Sequence, residues 1–187
     1  MRVDLFKEKI SINRKRNLLE KSLSKYDRNS FRERLKRLKF IYKIFPKNYW
    51  FISDIKTMYI FDETKMAFIN GEFVAVLMLS LAYIERKTQL YLSALGFAKE
   101  SKRGLKFMVD FARENNLLST FLLKKVDLLR NRRNPFSHLK DCNHKFNISQ
   151  RILKEMKEPL SMLERDAYEA ISLMYFISTF KFSKPIE

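Results

Sequence analysis

Apolar residues recur along this chain at spacings of three and four, the period of an amphipathic α-helix, and rarely alternate as a half-buried strand requires. Residues 1–45 contain neither Gly nor Pro, and Pro46 is the first helix breaker. The pattern predicts a helix over about residues 14–26, with Leu18, Leu19 and Leu23 on one side. Ser30-x-x-Glu33 reads as a capping box opening a second helix to about Ile44, with Leu35, Leu38, Ile41 and Tyr42 as its apolar side. Residues 46–66 read as irregular, with room for two short strands. Their aromatic clusters, Tyr49-Trp50-Phe51-Ile52 and Met58-Tyr59-Ile60-Phe61, are expected to cap a core, stacking on bases being the alternative.

A long helix follows over about residues 65–95, with Gly71 marking a kink or a start and Gly96 a break. The next helix covers about residues 104–115, with Leu105, Met108, Val109 and Ala112 turned inward, and Asn115-Asn116 ends it. Ser119 or Thr120 caps a further helix that ends at Arg133-Asn134, because the residue before Pro135 is pushed out of the α region. Alternatively Asn134 is itself an N-cap and Pro135 the first residue of a short helix. Asn147-x-x-Gln150 opens a last segment over about residues 149–182, which Pro159 kinks or breaks. Ile152, Met156, Leu163, Ala167, Ala170, Ile171, Met174 and Ile177 form its inner face.

Two of these stripes end on a charge. Leu122, Val126 and Leu129 lead, at spacings of four and three, to Arg133. Val74, Met78 and Leu81 lead in the same way to Glu85. A lone buried carboxylate is costly, so Glu85 is expected to pair with Arg133, or else with its neighbours Arg86 or Lys87 at the helix surface.

With 187 residues, 46% of them hydrophobic and 14% aromatic, the chain can build a real core: one domain with an extension of a few dozen residues. Only 3 Gly and 4 Pro supply turns, which favours long helices. The expected fold is all-α, an up-and-down helical bundle at residues 66–187 preceded by a basic helical extension at residues 1–65. The net charge of +17 points to a polyanionic partner, nucleic acid first. The first 50 residues hold 16 Lys and Arg against 5 Asp and Glu, an excess of 11, while the other 137 hold 22 against 16. Arg28, Arg32, Arg34, Lys36, Arg37 and Lys39 either grip phosphates or form a solvated helix face. A single cysteine, Cys142, leaves no disulfide framework and fits a reducing compartment. The N-terminus has no apolar signal segment, and the apolar run at residues 73–84, which contains Ser80, is too short to span a bilayer. A cytoplasmic protein without membrane association is expected.

Most familiar chemistries lack their residues. His138 and His144 flank Asp141 and Cys142 in a spacing that matches no strong zinc pattern, so no metal or cofactor is expected. No Gly-rich phosphate loop or nucleophile elbow is present. The group Arg133-Asn134-x-x-x-His138 suits phosphodiester chemistry without a metal. His titrates near neutral pH and can carry a proton to or from an alkoxide. Arg offers a fork to phosphate oxygens as charge builds on them, and Asn can orient either partner. RNA is the natural substrate, because it supplies its own 2′-OH nucleophile. The bland alternative is a cationic helix end complementing the helix dipole, with His138 an ordinary turn residue.

A helix with an inward Glu85, two further helices, then Leu129-Arg130-x-x-Arg133-Asn134-Pro135-x-x-His138 resembles the HEPN superfamily (higher eukaryotes and prokaryotes nucleotide-binding domains). The resemblance covers roughly residues 66–182. Its hallmark is an Arg, a following polar residue that is often Asn, and a His a few positions on; Arg133, Asn134 and His138 match with four intervening residues. Glu85 resembles the acidic residue that many members carry on an earlier core helix. The resemblance implies an all-α bundle that dimerises so that two motifs meet in one cleft. It also implies metal-independent endoribonuclease activity, often in toxins and phage-defence effectors, with 2′,3′-cyclic phosphate and 5′-OH products. In these terms His138 is the general acid/base, Arg133 binds phosphate, Asn134 positions, and Glu85 orients Arg133. Arg130, Arg132 and Lys140 are then the auxiliary nucleic-acid contacts. An antitoxin or other defence-system protein is a possible partner. One subtype is regulated through a Tyr two residues after the His; here that position is Lys140, a departure that argues against this regulation and not against a nuclease. Other members have lost activity and serve as RNA-binding or dimerisation modules, which is the alternative function.

Overall fold

In the computed structural model the described residues are 3–45 and 54–179, with side chains from residue 16 onward. All regular structure among them is helical: α1 (Val3–Ile44), α2 (Ile55–Asn70), α3 (Phe73–Ala94), a 3-10 turn (Glu100–Lys102), α4 (Leu105–Glu114), α5 (Thr120–Ser137), α6 (Ile148–Glu155) and α7 (Pro159–Ser178). The all-α expectation is met. The Tyr49–Ile52 cluster and the expected end of the last helix near Phe182 lie outside the described residues.

The first 45 residues differ from expectation. One helix of 42 residues stands where two were expected, roughly 63 Å long at 1.5 Å per residue. Nothing in the stretch breaks it. Ser30 caps no helix; its hydroxyl donates back to the Asp27 carbonyl at 3.4 Å inside the running helix. Leu18, Leu19 and Leu23 are all more than 60% exposed, because this half of α1 runs beyond the bundle. Among its described side chains, the end of α1 packs into the core, through Ile41 with Phe40 and Ile44 beside it. Arg37, expected either to grip phosphates or to lie on a solvated face, is buried: its Nε donates to the Ile69 carbonyl at 3.1 Å, and Nη1 meets Glu164 at 3.4 Å. It ties α1 to α2 and α7.

Residues 55–70, expected to be largely irregular or stranded, are helical. Asp54 caps α2, accepting from the Thr57 amide at 3.1 Å and its hydroxyl at 2.7 Å. Gly71, at φ +84°, closes it: the Gly71 amide donates to Phe68 and the Glu72 amide to Ala67. A side chain at that φ is strained, and a Cβ would sit 3.0 Å from Arg37 Nη2. The helix expected over 65–95 is therefore two helices. The division expected between residues 65 and 66 falls inside α2, with Phe61 and Thr64 buried before it and Ala67 and Phe68 after it.

Helix α3 is the centre, packed mainly on α7 and α2, with α5 beside it. Val76, Leu77, Leu81, Tyr83 and Ile84 meet Ala167, Ala170, Ile171 and Met174 in the core. The expected stripe on α3 is really its flank: Leu81 is buried, but Val74 and Met78 are 38% and 37% exposed. On α4 and α5 the expected inward residues are buried, from Leu105, Met108, Val109 and Ala112 to Leu122, Val126 and Leu129. Pro159 separates the last segment into two helices and starts α7, where its missing N–H costs nothing. Met156, expected inward, is 85% exposed, because it adopts φ 51° to end α6. No helix among the described residues is long and apolar enough to cross a membrane.

A buried charge cluster joins the last three helices. Asp166, fully buried, accepts from Arg151 Nη2 at 2.9 Å, and Arg132 Nη1 approaches it at 3.1 Å. Arg165 and Arg151 also meet Glu155, and Arg132 meets Glu169. Low dielectric around Asp166 strengthens its pairs with Arg151 and Arg132 and makes it costly to remove, while Glu155 and Glu169 lie nearer to solvent.

Candidate active site

Helix α5 continues through Pro135 to Ser137, past the expected stop at Asn134, and Pro135 starts no new helix. Pro135 removes the amide that would have donated to the Asn131 carbonyl, and the helix runs only two residues further. The His138 amide then donates to the Asn134 carbonyl at 2.9 Å and closes the end. The motif thus lies on one helical turn and its cap.

Arg133, Asn134, His138 and Arg130 line one cleft of about 620 Å³ with Glu85 of α3 and the start of α4. Five of the seven expected site residues share this space. The other two do not. Successive residues on a helix point about 100° apart, so Arg132 leaves on a different side from Arg133. It is held by Asp166 and Glu169 and lines a separate, largely apolar groove of about 710 Å³ between α5 and α7. Lys140 follows the helix in the loop toward α6 and does not line the cleft.

Arg133 continues the buried stripe and is half-buried. Its Nη1 donates to Ser137 Oγ at 3.0 Å, one turn on, and that hydroxyl touches Met78 Sδ at 3.3 Å on α3. Its Nε is buried with no hydrogen-bond partner. The expected Glu85–Arg133 ion pair is not formed, although both residues line the cleft. Arg86, one of the two neighbours expected as alternative partners of Glu85, instead bonds Thr57 Oγ1 at 2.8 Å and Asp54 at 2.9 Å. Glu85 is half-exposed, so water can solvate its carboxylate and no pairing is forced.

Asn134 and Arg130 hold each other across one turn. With its amide turned to satisfy both ends, Asn134 donates to the Arg130 carbonyl at 3.1 Å and accepts from Arg130 Nη1 at 3.3 Å. Asp127 accepts from the other edge of Arg130, at 3.0 and 2.7 Å. His138 is exposed, which leaves its ring open to a ligand.

The far wall was not assigned from sequence. Arg103, Gly104, Lys106, Phe107 and Asp110 contribute to it. The available signal was Gly104, a helix start without a capping side chain directly after an Arg. Burial alone would raise the Asp110 pKa, but hydrogen bonds from Lys106 and Arg113 outweigh it and hold the carboxyl below its ordinary range. Four cationic side chains, Arg103, Lys106, Arg130 and Arg133, thus face two carboxylates, Glu85 and Asp110. The cleft favours an anion.

Comparison with known proteins finds no matching family model, no matching curated protein and no matching solved structure.

Proposed function

We propose that this chain is a metal-independent endoribonuclease of HEPN type, cleaving RNA by attack of a 2′-OH on the adjacent phosphorus. The supporting observation is that Arg133, Asn134 and His138 face one net-cationic cleft from a single turn of α5. In this reading the O2′–P bond forms as the P–O5′ bond breaks, leaving a 2′,3′-cyclic phosphate and a 5′-OH. His138 takes the proton from O2′ or delivers one to the leaving O5′. Arg133 turns its guanidinium toward the non-bridging oxygens and offsets their charge in the transition state. Its unpartnered Nε gains an acceptor there. Asn134 keeps Arg130 in place beside it.

A homodimer would bring two such clefts together, and with them a second His138 for the other proton transfer. Exposed Leu139 next to His138, with the exposed flank of Val74 and Met78, supplies apolar surface that a second copy would cover. Regulated toxicity, as a toxin or phage-defence effector in the cytoplasm, is the biological setting proposed. Expression of the wild type should then slow host growth, and Arg133→Ala should relieve it; harmless wild-type expression would count against this setting.

The unformed Glu85–Arg133 pair favours a second reading, an RNA-binding module without catalysis. Incubating RNA with wild type and His138→Ala in a chelator separates the two. Cleavage by the wild type alone supports the nuclease; no cleavage with retained binding supports the module.

A further inference from the structure

The far wall of the cleft carries a surface that the motif does not use. The Arg103 guanidinium lies 3.5 Å from the centre of the Phe107 ring. Phe107 stacks on Phe111 at 6.0 Å and 21°, and Phe111 meets Phe97 edge-on at 5.0 Å, which fixes the platform to the body of the fold. Helix α4 starts between Arg103 and Lys106, and Gly104 gives its first amides no side-chain acceptor. Arg133 lines the same cleft. Stacked guanidinium and ring, free helix amides and two cations are the means by which proteins hold a nucleotide: base on the planar face, phosphate on the amides and cations.

We propose that Arg103, Lys106, Phe107 and the N-terminus of α4 form the subsite for the nucleotide next to the scissile phosphate. The α4 amides, Arg103 and Lys106 hold the neighbouring phosphodiester, and the Arg103–Phe107 pair stacks its base. This rests on reading the cleft as an RNA-cleaving site. It adds a strand-holding wall, with stacking that tolerates any base.

Gly104→Asp gives a test with two readouts. Gly104 has an ordinary extended conformation, and nothing lies within 4 Å of a Cβ placed there. Asp is a better N-cap than Gly, so the melting temperature should stay level or rise slightly. Its carboxylate would occupy the phosphate position. Binding is measured with a fluorescent single-stranded 2′-O-methyl oligoribonucleotide, which lacks the nucleophile. Affinity should fall about tenfold or more in Gly104→Asp. Arg103→Ala, at an exposed position, should weaken binding several-fold and flatten the salt dependence by about 0.7 in log–log slope, the loss of one single-strand phosphate contact. Binding within twofold of wild type in either variant overturns the subsite. Failure of the nuclease reading looks different: ordinary RNA stays intact with wild type, while both variants still lose affinity for the probe.

Discussion

Arg133 donates to Ser137 one turn along its own helix, at 3.0 Å, and leaves its buried Nε without an acceptor. A guanidinium on a core stripe, half-satisfied, costs stability, typically about 1–3 kcal/mol for a buried unpaired polar group. Arg133→Met fills the same space without that group. The expected result is a melting temperature unchanged or up by about 2–4 °C, with RNA cleavage lost. Calorimetry alongside the cleavage assay checks it; a large drop in melting temperature would mean that Arg133 serves the fold.

The opposite is expected at Asp166. Removing this fully buried carboxylate takes from Arg151 and Arg132 their buried partner and leaves them only the more exposed Glu155 and Glu169. Breaking such a buried pair costs about 3–5 kcal/mol. Asp166→Ala should therefore lower the melting temperature by roughly 10 °C, read by thermal unfolding. Because Arg132 adjoins Arg133 in sequence, cleavage should fall as well.

Asp54 gives a pH dependence with a definite sign. Its carboxyl is held well below the ordinary carboxylate range, first by the Thr57 hydroxyl, then by the Thr57 amide and Arg86. A group depressed in the folded state stabilises it above the unfolded pKa of about 4, and that contribution is lost as pH falls through the folded value. Asp54→Asn should melt below wild type at pH 7. The gap should shrink as pH falls below about 4. A gap unchanged between pH 7 and pH 2 would remove Asp54 as an ionised cap.

Leu139, fully exposed beside His138, tests the dimer. Light scattering at micromolar concentration should give a dimer for wild type and a monomer for Leu139→Glu, with activity lost in the monomer. A monomeric wild type that still cleaves would leave one cleft sufficient.

Much of the fold was legible from spacing. Ser119 caps α5 as expected, accepting from the Leu122 amide at 3.3 Å, and the inward faces of α4 and α5 follow directly from periodicity. Signals with two local meanings were not legible. Ser30-x-x-Glu33 satisfies a capping box and also fits inside a helix, and only the bundle's extent leaves Leu18, Leu19 and Leu23 uncovered. Gly71 was read as a kink or a start; its φ of +84° makes it the end of α2. At the site, the shared cleft of Glu85 and Arg133 was legible because each interrupts a stripe, while their direct pairing depended on distances that no stripe encodes. The hold on Arg132 outside the cleft was not legible, because its partner Asp166 lies 34 positions away on another helix.

The most direct test is the chemistry of the ends. A defined RNA incubated with purified protein in excess chelator should yield fragments bearing 2′,3′-cyclic phosphate and 5′-OH termini. The same RNA with a 2′-deoxy residue at the cut site should resist, and His138→Ala should leave both intact. Cleavage of the 2′-deoxy RNA, or undiminished cleavage by His138→Ala, would contradict a 2′-OH mechanism built on this motif.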